Sequence, residues 1–408
     1  MTAPPVKGWC PSTLRPMPSG DGLLVRLRPP EGGLSQAQMV ALADLASTYG
    51  NGFVQLTNRA NLQIRGVRDD TLAPLQAGLI EAGLLDPALT PEQEARLNIV
   101  VTPFHDGPEP MLHDTLAIAR ALHAALLAAE DLALPSKFGF AVDATFRIRH
   151  LAEVSADVRI ETAWDDLIVR ADGLPTGRCV ADADEAAALS VNIARWFVRS
   201  GGVATDGRGR MRDHVAQGAV LPAHLAGNAV PDCPSTTLQG FGQSGGMTLG
   251  LFGGMIRGDQ LQRLAVHCHA GARVTPWRSF FVQGLRQPPR DRHLPRWIVQ
   301  ADDPRLRVTC CVGKFFCSNG LRNVGWAENH ARHVPEGGHV HVSGCAKGCA
   351  HPGPAPVTLV GTTNGYGLVL NGRASDTPLH EATSARRLSN AAFHDPDLIR
   401  QWSHAAQL

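Results

Sequence analysis

Apolar residues recur along this chain with two distinct periods. Alternating or β-branched runs predict strands over residues 22–28, 53–66, 98–102, 138–142, 158–160 and 167–169, and apolar spacing of three and four predicts helices over 35–46 and 112–129. The most apolar stretch, 112–134, is interrupted by His113, Asp114, Arg120, His123, Glu130 and Asp131, as in an amphipathic helix that buries one face. A second set of elements follows, with strands at 247–252, 272–284, 307–311, 339–342, 357–360 and 368–370 and helices at 259–266 and 319–333. Each set opens with a strand, a Gly-Gly pair (Gly32-Gly33, then Gly253-Gly254), a helix and a strand. This order predicts an α+β protein built from two pseudo-symmetric halves. Gly201-Gly202, the stretch 206–213 and the prolines at 231 and 234 mark the junction as a surface linker or flap. Near the end, Asp395 followed by Pro396 predicts a peripheral helix reaching to 406.

Composition narrows the function. In 408 residues, 44% are hydrophobic, and 38 basic side chains nearly balance 37 acidic ones, which excludes a disordered chain and a general polyanion binder. Aromatic residues make up 5%, too few for a stacking platform on single-stranded nucleic acid. The first residues, Met1 to Gly8, contain no apolar secretion segment, and no run approaches the ~20 apolar residues of a membrane span. A cytoplasmic protein with neither nucleic-acid nor membrane partners is expected.

Nine cysteines without an export signal are not a disulfide framework. Cys10, Cys179, Cys233 and Cys268 are scattered and read as small buried hydrophobes. Cys310, Cys311, Cys317, Cys345 and Cys349 are crowded together, in Cys310-Cys311-Val312-Gly313-Lys314-Phe315-Phe316-Cys317 and Gly344-Cys345-Ala346-Lys347-Gly348-Cys349. Two pairs of thiolates suit an iron–sulfur cubane, and the wider pair departs from the two- to four-residue spacing of structural zinc sites. Spacing alone does not choose between Cys310 and Cys311. Gly313, Gly344 and Gly348 allow backbone N–H groups to reach the sulfurs.

Arginines cluster by pattern. Arg59 and Arg278 each follow a strand-like run at what looks like the same place in the two copies, with Arg26, Arg28, Arg65 and Arg273 nearby. Guanidinium groups on neighbouring strands suit bidentate capture of several carboxylates, so a multiply acidic small molecule is the expected ligand.

The order Leu56-Thr57-Asn58-Arg59-Ala60-Asn61-Leu62-Gln63, then Cys311-Val312-Gly313 with Cys317, then Gly344-Cys345 with Cys349, resembles the sirohaem-type sulfite and nitrite reductase superfamily. The flanks from His341 to Pro352 and from Leu370 to Asp376 are similar to its precorrin-3B synthase branch. The resemblance runs from about Gly22 to Asp376. It implies a ferredoxin-like half-domain at 10–80, a larger α+β domain at 90–215, a second ferredoxin-like half-domain at 235–295, a cluster-binding α+β domain at 300–376, and an extension over 377–408. It implies a [4Fe–4S] cluster on Cys311, Cys317, Cys345 and Cys349, with Cys349 where the reductases bridge to sirohaem iron. The branch implies an oxygen-dependent monooxygenase that hydroxylates precorrin-3A and closes a γ-lactone in aerobic cobalamin biosynthesis. Its partners would be dioxygen and an electron donor, with an external reductant such as NADH. The acidic macrocycle would be held by Arg26, Arg28, Arg59, Arg65, Lys137, Arg273 and Arg278. A mononuclear non-haem iron is compatible with that chemistry, with His267, His269, His339, His341 and His351 as imidazoles on offer, but no ligand set and no catalytic residue is assigned. Two departures disfavour the alternative, a sirohaem-dependent sulfite or nitrite reductase. Leu97 precedes Asn98 where the reductases place Arg, and Gly139 replaces the second lysine of a pair that begins at Lys137. An oxyanion pocket without those cations loses charge it depends on.

Overall fold

The computed structural model describes residues 10–105, 113–145, 148–231, 235, 240–243 and 245–382. Cys233 and the helix predicted from Asp395 lie outside them. The first half runs through β1 (Met17–Ser19), β2 (Gly22–Leu27), β3 (Gly33–Leu34), α1 (Gln36–Tyr49), β4 (Phe53–Leu56), β5 (Leu62–Val67) and α2 (Asp69–Glu81). It continues through α3 (Pro91–Arg96), β6 (Ile99–Val101), α4 (Thr115–Ala128), β7 (Phe140–Asp143), β8 (Val158–Ala163), β9 (Asp166–Ala171), β10 (Arg178–Val180), α5 (Ala183–Arg199) and α6 (Met211–Ala216). The second half holds β11 (Gly246–Gly250), β12 (Met255–Arg257), α7 (Gly258–Ala265), β13 (Ala272–Val274), β14 (Ser279–Gln283) and β15 (Val308–Cys310). It ends with α8 (Ala327–His330), β16 (Val340–Ser343), β17 (Ala355–Thr362), β18 (Gly365–Gly372) and β19 (His380–Ala382). α1 starts where Ser35 and Gln38 form a reciprocal capping box, and it buries Met39, Leu42, Ala43 and Ala46, the face its apolar spacing predicts.

The two small sheets exchange a strand. Their orders are β1-β2-β5-β4-β12 and β11-β14-β13-β3, so β12 of the second half completes the first sheet while β3 of the first half completes the second. Met255 faces Gln55, and Ala272 faces Leu34, across antiparallel pairings. The Gly-Gly pairs lead into the exchanged strands. At Gly254, with φ +73°, an added Cβ would lie 2.5 Å from the Leu56 carbonyl oxygen, so only glycine lets the loop approach this closely. One hydrophobic core runs through both small units, joining Leu27, Met39 and Ile64 to Leu261, Leu264 and Phe280.

The larger sheets repeat the same scheme. In β6-β7-β8-β9-β10 and β15-β16-β17-β18-β19 the first three strands are parallel and the rest antiparallel. Each has its own core, around Phe138, Phe140 and Phe197 in the first and Val342, Leu359 and Tyr366 in the second.

Four expectations need correction or refinement. The runs at 53–66 and 272–284 are each two strands around a turn. In the first turn Thr57 Oγ1 accepts from the N–H groups of Arg59 (3.3 Å) and Asn61 (3.1 Å), and in the second Thr275 Oγ1 accepts from Trp277 N–H at 3.2 Å. Of the helix predicted at 319–333, only α8 and a 3-10 turn at Ala331–His333 form. The preceding backbone is used elsewhere, with Leu321 N–H donating to Gly344 O (2.7 Å) and Lys314 N–H to Arg322 O (2.9 Å), so it bridges the two cysteine loops instead of bonding to itself. The junction around 206–213 lies at the surface as expected but is anchored at one point, where Met211 is fully buried and Arg210 binds Asp157 in the first large unit. Last, Arg59 and Arg278 are not equivalents. The hydrogen-bonded turns align Thr57 with Thr275 and Arg59 with Trp277, and Arg278 (φ +57°) falls opposite Ala60 (φ +52°).

Candidate functional site

Parallel strands β15 and β16 present their carboxyl ends side by side, and the two cysteine loops leave from those ends. Cys310, the last residue of β15, points into the core beside Val308 and Val324 and is 5% exposed. Burial pushes its thiol up to about 12. Cys311, one residue beyond β15, lies at the edge of the same core, and its Sγ accepts the N–H groups of Gly344 at 3.1 Å and Gly313 at 3.3 Å. Cys345 and Cys349 share that neighbourhood. Desolvation raises the Cys345 thiol, and the nearby sulfurs of Cys317 and Cys311 add to the effect. Desolvation at the sulfur also pushes Cys349 up to about 11, with Cys345, Cys311 and Cys317 contributing in the same direction. Four free cysteines stand close together on two loops, two N–H groups reach one of the sulfurs, and the loops are glycine-rich. Such a donor set fits a cationic iron–sulfur core. Among the described residues, no three Cys, His, Asp or Glu side chains converge on a point as the ligands of a single ion would.

The polar face of the first small sheet carries an arginine–glutamine network. Arg26 Nη2 and Nε donate to the Gln63 side-chain oxygen at 2.7 and 2.9 Å when the Gln63 amide is oriented to satisfy its neighbours, and its nitrogen then donates to Gln55 Oε1 at 3.1 Å. Arg28 Nη1 donates to the Glu94 carbonyl at 3.1 Å, and burial lowers this guanidinium to about 10. Arg59 donates to the Lys137 carbonyl (2.8 Å) and to Ser155 Oγ (3.2 Å). It is also lowered to about 10, first by burial and then by Arg210. Arg210 donates to the same Ser155 Oγ at 2.8 Å and to Asp157 at 2.9 Å. The Lys137 side chain is exposed. These groups form a face with more cationic than acidic side chains.

Two more of the predicted arginines are engaged by protein groups. Arg65 is 3% exposed, pairs with Asp21 at 3.0 Å, and donates to Gln55, to Ser19 and to the Phe316 carbonyl. It therefore ties the first sheet to the loop that carries Cys317. Arg273 donates to the Pro103 carbonyl at 2.6 Å and lies over the Phe281 ring. Arg278 stands apart, beside Cys310 and Cys311. Sequence reasoning missed Arg210 and Ser155, which lie far from Arg59 along the chain. The glutamines at 55 and 63 were legible as polar positions alternating with Val54, Leu56, Leu62 and Ile64.

The two positions set against reductase cations in the sequence hold no cation in the structure. Leu97 is buried in the first large core. Arg96, its neighbour, turns away to donate to the Glu130 carbonyl at 3.3 Å. A Cβ at Gly139 would meet Asn98 Nδ2 at 2.5 Å, which leaves no room for a lysine without displacing Asn98. His267 and His269 are exposed at the end of α7, away from the cysteine loops in sequence and surface class. The rings of His339 and His341 approach that of His351 at 4.8 and 5.6 Å between centroids. Both are lowered to about 4, first by burial and then by the neighbouring His351.

Paired small sheets with an exchanged strand, paired mixed sheets and a four-cysteine loop pair define a protein of the nitrite and sulfite reductase class. Residues 15–82 match the family model described as the nitrite/sulfite reductase ferredoxin-like half domain. The fold is similar to that of NirA from Mycobacterium tuberculosis, with a TM-score of 0.62 and 13% identity over 88% of this chain and 76% of that one. A stretch of 63 residues, 15% of this chain and 11% of the other, is 44% identical to the sulfite reductase [NADPH] hemoprotein beta-component of Acidithiobacillus ferrooxidans. A protein of Sinorhizobium sp named precorrin-3B synthase is 30% identical over 429 aligned residues, 98% of this chain and 90% of that protein. The chain belongs to the precorrin-3B synthase family.

Proposed function

We propose that this protein is a precorrin-3B synthase of aerobic cobalamin biosynthesis, which hydroxylates precorrin-3A with one atom of dioxygen and closes a γ-lactone from a side-chain acetate. The likeness over 98% of the chain to a protein of that name carries the reading. Cys311, Cys317, Cys345 and Cys349 would hold a [4Fe–4S] cluster, which when bound supplies single electrons drawn from an external reductant such as NADH. Arg26, Arg28, Arg59 and Arg210 present charge-assisted donors to the carboxylates of the macrocycle and fix which edge is exposed to the oxidant. Lys137, exposed at the rim, adds long-range attraction. Arg65 and Arg273 hold the walls of this face in place through protein acceptors. No residue is assigned to a second iron. A cytoplasmic location goes with this reading, since reducing surroundings would keep the ligand thiols available.

Turnover of precorrin-3A under heavy dioxygen tests the reading. One labelled atom should enter the product and the other should leave as water, with two electrons and two protons consumed. A product that carries no label would refute oxygen-dependent hydroxylation. The alternative, a sirohaem-dependent sulfite or nitrite reductase, draws on the 63-residue match and predicts extractable sirohaem with turnover in the absence of oxygen. Leu97 and Gly139, at the positions of the reductase cations, weigh against it.

A further inference from the structure

We propose that Arg278 sets the reduction potential of the cluster, acting as a fixed cation held against the loop that carries Cys311. The inference rests on the reading that Cys311, Cys317, Cys345 and Cys349 hold [4Fe–4S]. Three observations support it. The backbone of Arg278 is left-handed (φ +57°), a conformation disfavoured for a side chain of this size, so the surrounding turn holds it in place. Its stem is clasped by the Gly-Gly loop, whose two glycines face the arginine and a cysteine in turn. A Cβ at Gly254 would lie 3.2 Å from Arg278 Cβ and Cδ, and one at Gly253 would lie 3.3 Å from Cys310 Sγ. Its guanidinium is buried, with the thiols of Cys310 and Cys311 beside it and no carboxylate of the described residues paired with it. Arg28 and Arg59 differ in having a carboxylate nearby, Glu94 and Asp157 respectively, and Arg26, which has the Cys10 thiol beside it, lies among those arginines and not at the cluster loops.

A [4Fe–4S] core gains one negative charge when it accepts one electron. A fixed positive charge near one of its thiolate ligands stabilises the reduced state more than the oxidised one and raises the potential. Arg278 is therefore a positioning residue for electron transfer and not a counterpart of Arg59 in substrate capture.

The test uses the full chain, reconstituted anaerobically with iron and sulfide and titrated with dithionite while the reduced cluster is followed by electron paramagnetic resonance. Iron and sulfide analysis of the unaltered protein comes first, and absence of a four-iron core there would refute the cluster assignment itself. With the core present, Arg278→Gln should shift the midpoint to a more negative potential, and Arg278→Lys should stay close to the unaltered value. A glutamine variant with full iron content and an unshifted midpoint would overturn the proposal, as would equal shifts in the lysine and glutamine variants. Arg278→His guards against a glutamine variant that does not assemble. Its midpoint should fall as pH rises through the titration of the imidazole, beyond any change in the unaltered protein, and parallel pH profiles would overturn the proposal.

Discussion

Replacing Arg65 by alanine should loosen the Cys317 loop without unfolding the protein. Arg65 and Asp21 are 3% and 9% exposed in their side chains, and the guanidinium donates to Asp21 Oδ2 and Oδ1 at 3.0 and 3.2 Å, to Gln55 at 3.0 Å and to Ser19 at 3.1 Å. It also donates to the Phe316 carbonyl, which accepts from Ser19 Oγ as well, and lies over the Phe316 ring. Removing one partner of a buried pair leaves the other charge desolvated and uncompensated, at a cost of roughly 3–5 kcal/mol. The cost falls mainly on the docking of the 311–317 loop against the first small sheet, because β2, β4 and β5 keep their own core. At about 1.4 kcal/mol per decade, the open population of the loop should rise by roughly two to four orders of magnitude. Hydrogen exchange read by mass spectrometry on a peptide spanning 311–317, with all variants compared in the iron-free state, measures this directly. Arg68→Ala is the control, since Arg68 and Asp70 form an exposed pair and should leave exchange unchanged. Arg65→Lys should fall between, keeping charge but losing the fork. Native circular dichroism with unaltered protection of the loop in Arg65→Ala would refute the argument that this arginine anchors it.

Three further outcomes follow from the geometry. Cys310→Ala should keep full iron and sulfide content while Cys311→Ala loses it, as measured by metal and sulfide analysis, because Cys310 faces the core and Cys311 faces the loops; the reverse pattern would exchange the two assignments. Arg210→Gln should weaken binding of an octacarboxylate porphyrin such as uroporphyrin by roughly 10- to 100-fold, the loss of one charge-assisted contact, and should flatten the salt dependence in a fluorescence titration. An unchanged affinity would remove Arg210 from the binding face. His150, 6% exposed and packed on Phe104, is lowered to about 4 by burial. Its folded-state value lies below the unfolded one, so its contribution is present above about pH 6.5 and lost as pH falls towards 4, a change of roughly 3 kcal/mol. Asp143, raised to about 6 by burial, acts in the opposite sense over much of that window. His150→Phe should therefore reduce acid lability in denaturant titrations between pH 4 and 6.5, and an unaltered slope would show that the imidazole is not kept neutral by burial.

Much of the protein follows from local pattern. The period of apolar residues marks β2, α1, β6, α4 and most strands of the second half, because strand and helix each bury one face and the chain must alternate accordingly. Ser35 before Gln38 signals the start of α1 for a purely local reason, the exchange of two hydrogen bonds within one turn. The crowding of five cysteines between 310 and 349 marks the second large unit as the chemical one. Turn chemistry was the least legible, since Thr57 and Thr275 close their turns with a hydroxyl that apolar periodicity does not register.

Tertiary structure decided what depends on distant partners. The exchange of β3 and β12 between sheets has no local signature beyond the two Gly-Gly pairs, since a strand's free edge does not specify which sheet will supply its acceptors. Residue order suggested Arg278 as the equivalent of Arg59, but the hydrogen-bonded turns place Trp277 there and send Arg278 to the cysteine loops. Arg210 reaches Ser155 only because the segment after α5 folds back to bury Met211. Adjacent cysteines at 310 and 311 are indistinguishable by spacing, yet the strand ends between them, so the sulfur of Cys310 is buried in the core and that of Cys311, at the core's edge, meets the N–H groups of Gly313 and Gly344.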